Sequence, residues 1–229
     1  MPIWIQDITH NPDYLLRANE IVSATYQNFQ KVEVPISKEW RRNADVVLAA
    51  LKITSLEEDV HMLATVSLNF GAKDGNGLEF MELFEPSIGD WCTYSSHEFN
   101  PENITEVAKF AFIQSLLDQS KSSRQIREEI AFRFFNAASL IGKARFHEQI
   151  WAVASMPVAR LLTQACQMEF VRVNDVELNE QNPIMESFPA FWKRQRPRLY
   201  RAYSEINSSR LSVPPEQTVF RNEEAHSGN

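Results

Sequence analysis

The sequence predicts an α+β (mixed α/β) protein with a central mixed, twisted sheet flanked by helices. Three stretches carry that prediction. Residues 105–113, Thr-Glu-Val-Ala-Lys-Phe-Ala-Phe-Ile, read as extended, and a Ser/Lys-rich loop and a long amphipathic helix follow them. A compact apolar strand at 149–155 leads into a short helix at 157–166 and another extended segment at 168–173. Earlier in the chain, alternating apolar residues mark antiparallel strands. The strand–helix–strand order implies parallel neighbours, which need a helical crossover, and a ligand is expected where such neighbours diverge.

In chain order, residues 13–29 read as a helix, with Leu16, Ile21, Val22 and Tyr26 near one face and Pro12 at its start. Residues 31–40 contain Pro35 and Ser37 and read as irregular. Residues 45–54, rich in Val, Leu and Ala, read as a strand. Residues 55–58 have capping-box spacing but too little chain after them for a helix, so a turn is expected. Residues 61–70 alternate, placing Met62, Ala64, Val66, Leu68 and Phe70 on one face. A glycine-rich turn at 71–77 and a third strand at 78–84 complete a meander. Residues 85–102 carry Pro86, Gly89 and Pro101 and read as a long loop with some local structure.

The long helix is expected to begin near Ser122, which forms an S-x-x-Q cap with Gln125. Ile126, Ile130, Phe134, Ala138 and Ile141 then make one apolar stripe, and Gly142 weakens the last turns. Phe132, Phe134 and Phe135 read as core, with some of them able to line an apolar chain-binding cavity. The last strands are expected within 170–178 and 199–206. Residues 1–207 are expected to form a single domain, with a polar tail at 208–229, including Pro214 and Pro215, outside it.

Composition narrows the function. A chain of 229 residues with 44% hydrophobic and 23% charged content is ordinary for a globular protein. No apolar run approaches the roughly 20 residues of a membrane span, and the start lacks a signal peptide's pattern, so a cytoplasmic location is expected. Cys92 and Cys166 form no CxxC, and Cys166 reads as a buried structural thiol. The net charge of −7 disfavours nucleic acid. The five histidines lack ligand spacing, so no metal is expected. There is no G-x-S-x-G, and none of the six glycines builds a nucleotide loop.

The segment from Thr105 to Phe112 resembles the "E-[LIV]-S-R-[FL]-A-[VI]" strand of one branch of the GNAT acyltransferase superfamily. That branch holds acyl-homoserine-lactone synthases and long-chain N-acyl amino acid synthases. Residues 150–162, followed by Met168, Glu169 and Phe170, are similar to its next strand and helix, which usually end in "GF" or "GW". Arg17 and Asp45 sit roughly where the branch places an Arg and an acidic residue. The chain departs from the pattern at Ala108, Lys109 and Glu169, which stand for Ser, Arg and Gly. The general GNAT phosphate loop, Q/R-x-x-G-x-G/A, is absent, because residues 121–127 hold no glycine.

The resemblance implies a GNAT-like acyl-CoA N-acyltransferase fold and an acyl donor that is either acyl-CoA or acyl-carrier protein. Two parting strands would hold the donor's arm through main-chain groups, with an amide near Phe110, Ala111 and Phe112 polarising the thioester. The position of Glu106 implies a base that takes the proton of a small-molecule amine acceptor, such as an amino acid. Lys109 would hold a carboxylate or carbonyl of the acceptor, or orient Glu106. The alternative is an exposed Glu106–Lys109 ion pair. Lys121, Arg124 and Arg127 at a helix start suit a phosphate, or form a solvated basic loop. Lys193, Arg194, Arg196, Arg198 and Arg201 make a run with no acidic residue. That run is a docking patch for an acyl-carrier protein or simply a solvated face. The competing function is a non-catalytic GNAT-like module that binds an acyl ligand or a protein, and a weaker one is an ordinary acetyltransferase.

Overall fold

The computed structural model describes residues 3–27, 44–53, 60–72, 77–94, 99–118, 120–166, 169–182 and 193–203. They hold β1 (Ile3–Asp7), α1 (Pro12–Gln27), β2 (Val46–Ile53), β3 (Val60–Phe70), α2 (Glu79–Leu83) and α3 (Ser87–Tyr94). Next come β4 (Ile104–Phe112), α4 (Lys121–Ala144), β5 (Gln149–Ala154), α5 (Met156–Cys166), β6 (Val171–Arg172) and β7 (Arg198–Tyr203). The strands form one sheet in the order β1-β2-β3-β4-β5-β7-β6. Among the described residues only β4 and β5 pair in parallel, and α4 is their crossover.

Alternation sorts each strand between two covers. Val46, Leu48 and Ala50 of β2, and Ile150, Ala152 and Ala154 of β5, join Ile130, Phe134 and Ala138 of α4 and Leu162 of α5 in one core. On the opposite face, Val47, Ala49 and Leu51 meet Ala18, Ile21 and Val22 of α1. Trp151 and Leu199 on that face meet Phe80 of α2 and Ile88 of α3. Burying these side chains contributes on the order of 1.5–3 kcal/mol for each large residue.

The predicted α4 stripe holds, with Ile130, Phe134 and Ala138 buried and Ile126 and Ile141 packed against them. The helix spans 24 residues, about 36 Å at 1.5 Å per residue. Gly142 is required by packing, since a Cβ there would lie 2.8 Å from Thr105 Oγ1.

Several expectations are corrected. Residues 78–84 are not a strand: α2 occupies Glu79–Leu83, and the antiparallel run is β1–β2–β3–β4. The stretch read as loop after residue 85 contains α3. β1 went unread because five residues at a sheet edge give little periodicity. The α4 cap is Ser120, whose Oγ accepts from the Ser123 amide at 3.2 Å, so the helix starts one residue before Ser122. Leu16 points outward at 62% exposure and leaves the α1 stripe to Ala18, Ile21 and Val22. Within 170–178 only Val171–Arg172 forms a strand, and it pairs antiparallel with β7 rather than parallel with β5. The expectations for 31–40, 55–58 and the tail at 208–229 lie outside the described residues.

Candidate active site

β4 and β5 run side by side only from Ile104/Gln149 to Val107/Ala152. β4 continues five residues further, to Phe112, paired with β3. That continuation is bulged: Ala108 faces Ser67 and Ala111 faces Thr65, so Lys109 and Phe110 oppose Val66 alone. Lys109 takes φ 52°, a left-handed conformation uncommon for a side-chain-bearing residue. Past the bulge, the Ile113 amide donates to the Leu63 carbonyl at 2.9 Å. Alternation then turns the peptide groups of Phe112 and Phe110 away from β3. Among the described residues no strand pairs with β4 on that side beyond Val107.

Glu106 is 1% exposed and its carboxylate caps the first turn of α2. Oε2 accepts from the Glu79 amide at 2.6 Å and from Asn69 Nδ2 at 2.9 Å, and Oε1 accepts from the Phe80 amide at 3.0 Å. A carboxylate suits a helix start because the amides there lack partners and carry partial positive charge. This long-range cap explains why a five-residue segment with apolar Phe80 and Leu83 folds as a helix. Burial, followed by the Glu79 carboxylate, pushes Glu106 from 4.5 up to about 8, against the hydrogen bonds from Asn69 and Glu79 and the Lys109 charge. A carboxyl at that value has the right affinity for a proton-transfer role near neutrality.

Lys109 is bonded through its ammonium to Glu79 Oε1, with both side chains mostly buried. The expected alternative, an exposed Glu106–Lys109 ion pair, is therefore corrected: Glu106 is buried and Lys109 pairs elsewhere. Phe110 stacks edge-on against Phe112 and Phe134, at 4.8 and 5.8 Å between centroids, so its side chain faces the α4 core. Ala111 lies on the opposite, α1 face.

The basic residues near the α4 start are scattered in role. Lys121 is exposed. Arg124 donates to Glu128 Oε1 at 2.8 Å and to Gln164 Oε1 at 3.4 Å. Arg127 donates to the carbonyls of Leu116 and Asp118 and so clips the preceding loop. Asp118 accepts from the Ser120 amide and hydroxyl, and hydrogen bonds from Ser120 and Ser123 hold its carboxyl below the usual range. The helix start thus already meets an anion of its own chain.

The other basic run is also divided. Lys193, Arg194 and Arg196 are exposed, and Arg198 is half-buried on β7. Arg201 is turned inward, its guanidinium 5.9 Å from the Trp91 ring centre. Arg17 pairs with Glu20 on the surface, while the Asp45 carboxylate accepts from the Phe70 amide at 2.7 Å, and neither joins Glu106. Among the described residues no group of three or more His, Cys, Asp or Glu side chains is arranged to hold a metal, and no helix is long and apolar enough to cross a membrane.

Ser67 and Asn69 were missed by the sequence reading, which followed the apolar face of β3. Both are fully buried, opposite Ala108 and Glu106. The signal was present: Thr65, Ser67 and Asn69 are three polar residues at alternate positions of one strand.

No family model matches the chain, and no curated protein does. Solved structures do. FeeM, an N-acyl amino acid synthase from uncultured soil microbes, superimposes with a TM-score of 0.54 at 11% identity, over 88% of this chain and 90% of that one. The AHL synthase LasI gives a TM-score of 0.49 at 9% identity, over 88% and 89% of the two chains. BjaI, a CoA-dependent acyl-homoserine lactone synthase solved with SAM and isopentyl-CoA, gives 0.49 at 10%, over 90% and 85%. The chain therefore has the fold of FeeM.

Proposed function

We propose that the protein is an N-acyltransferase that moves an acyl group from an acyl thioester, acyl-CoA or acyl-carrier protein, to the amine of a small molecule such as an amino acid. The observation that carries this reading is the parting of β4 from β5 after Val107/Ala152, beside the Lys109–Phe110 bulge. The donor's amide-rich arm lies in the gap and pairs with main-chain groups of β4 around Phe110, as an added strand would. An amide at Phe110 or Phe112, fixed by the bulge, stabilises the oxyanion that forms on the thioester carbonyl. The amine nitrogen attacks that carbon, the C–N bond forms and the C–S bond breaks. Glu106 takes the proton the nitrogen loses, and the departing thiolate is protonated to the thiol. Lys109, anchored by Glu79, holds the acceptor's polar end.

The test is direct. Purified protein is mixed with acyl-CoA of several chain lengths, and separately with acyl-carrier protein, plus a panel of amines, and products are sought by mass spectrometry. Acylated amine supports the reading, and no product from any combination overturns it.

A second reading is a non-catalytic module that binds an acyl ligand or a protein. It draws on one observation: the Glu106 carboxylate already accepts three N–H bonds and is almost fully buried. Glu106→Gln separates the two. An enzyme loses turnover and keeps its affinity for the acyl ligand, whereas a binding module has no turnover to lose.

The exposed Lys193, Arg194 and Arg196 suit an acidic carrier protein as the donor's bearer, in a chain that is itself acidic overall.

A further inference from the structure

Three consecutive same-face positions of β3 are polar: Thr65, Ser67 and Asn69, each with no exposed surface. Around them that face carries apolar Val47, Ala49 and Leu51 on one side and Ile104 and Trp151 on the other, together with the polar Glu106, Gln149 and Arg201. A polar group placed there costs stability unless it has a partner. Thr65 has one, donating to the Leu48 carbonyl at 3.2 Å. Among the described residues Ser67 Oγ and Asn69 Oδ1 have none.

With Glu106 ionised, as a base must be before it takes a proton, chemistry fixes the free atom of Asn69. Its Nδ2 donates to Glu106 Oε2 at 2.9 Å, and a reversed amide would set oxygen against carboxylate oxygen. Oδ1 is therefore a buried acceptor held beside Glu106. Ser67 sits one same-face step along β3, about 7 Å away at strand spacing, opposite the last residue before the bulge. Two unmet hydrogen-bonding atoms thus share the Glu106 face, one beside the carboxylate and one a step further toward the bulge.

Resting on the acyltransferase reading, we propose that Ser67 and Asn69 are the specificity-determining residues for the acceptor: Asn69 Oδ1 receives an N–H of a small primary amine whose neighbouring polar group bonds the Ser67 hydroxyl. A primary amine has hydrogens for both Asn69 and Glu106, while an alcohol has one. The Lys109–Glu79 pair borders the same place, because the Glu79 amide and Asn69 share Glu106 Oε2, and the acceptor enters when that pair opens.

The experiment compares the full-length protein with Ser67→Ala and Asn69→Ala. Melting temperatures are measured without acyl donor, with and without primary amino acids, their N-methyl forms and the matching hydroxy acids, and steady-state kinetics follow for each amine that is acylated. The expected result is a rise in Tm of the wild type with a primary amine and not with the hydroxy acid. Ser67→Ala is expected to melt no lower than wild type on its own, because it removes an unmet hydroxyl. It loses the amine-induced shift, and KM for the amine rises about tenfold or more with KM for the thioester unchanged. Wild-type turnover with an unchanged amine KM and shift in both variants overturns this inference and leaves the acyltransferase reading standing. Absence of both turnover and any amine-induced shift in the wild type overturns both.

Discussion

The ammonium of Lys109 is bonded to the side chain of Glu79, while the main-chain amide of Glu79 is bonded to the carboxylate of Glu106. One residue of α2 thus ties together both charged residues of the bulged strand. The helix start, the bulge and the buried acid form a single unit, and a change at one point should be felt at the others.

The raised affinity of Glu106 for its proton sets two pH dependences of opposite use. A carboxyl that takes its proton more readily folded than unfolded lends stability at low pH. That share is fully present below about 4.5 and lost as the pH rises through about 8. Urea unfolding followed from pH 5 to 9 should show the decline, and Glu106→Gln should remove it. As a base, Glu106 must be deprotonated, so kcat/KM should rise with pH toward a plateau above about 8. Glu106→Gln should lower kcat by about 10²–10⁴-fold. A rising limb that moves with the acceptor's own amine pKa, and stays in the variant, would assign the proton step elsewhere.

Arg127 is predicted to act on the fold rather than on the donor. Its guanidinium holds the carbonyls of Leu116 and Asp118. Arg127→Ala should cost about 1–3 kcal/mol in stability, the range for unmaking hydrogen bonds to a charged group. KM for acyl-CoA should stay within about threefold, less than the loss of a bidentate phosphate contact would produce. A large rise in that KM with an unchanged Tm would instead place phosphate at the guanidinium.

Gly142 is predicted to resist even alanine. Alanine is the better helix former by about 1 kcal/mol. Its Cβ, however, would lie 2.8 Å from Thr105 Oγ1, and overpacking of this kind costs about 1–3 kcal/mol. Gly142→Ala should therefore lower Tm. In a Thr105→Ala background the obstacle is gone, and the same substitution should become neutral or stabilising, a coupling that a double-mutant cycle measures.

His147 should make the protein acid-sensitive. It is buried, with Nδ1 3.1 Å from Thr105 Oγ1 and its ring 5.5 Å from that of Phe70. Burial and the Arg145 charge hold its affinity for a proton below the usual value, against the pull of Asp45. Its contribution is complete above about 6.5 and falls away as the pH drops through the lower folded value. Chemical unfolding between pH 7 and 5 should steepen this loss in the wild type, and His147→Gln should flatten it.

The parts of the fold legible in the sequence are those with strong local periodicity. β3, α4, β5 and α5 lie where alternation and the helical stripe put them. α2 was not legible, because its cap comes from Glu106, 27 residues away. α3 was hidden by Pro86 and Gly89, which mark a loop in any local reading although α3 begins right after that proline. At the candidate site, Glu106 and Lys109 came only through resemblance, and their partners Asn69 and Glu79 needed the register of β3 against β4. Ser67 and Asn69 were passed over because five apolar neighbours on the other face of β3 dominate its pattern. That the odd face is buried as well is a fact of tertiary packing, since α1 and α2 close over it.

The jog in β4 has one more consequence. Two residues there stand against one of β3, yet Ala108 and Ala111 keep the same side as Ser67 and Thr65. Shortening the strand by a single residue at 109 or 110 would therefore straighten it without turning any later side chain over. The extra residue thus reshapes β4 just beyond its last pair with β5, while every side chain after it keeps its face.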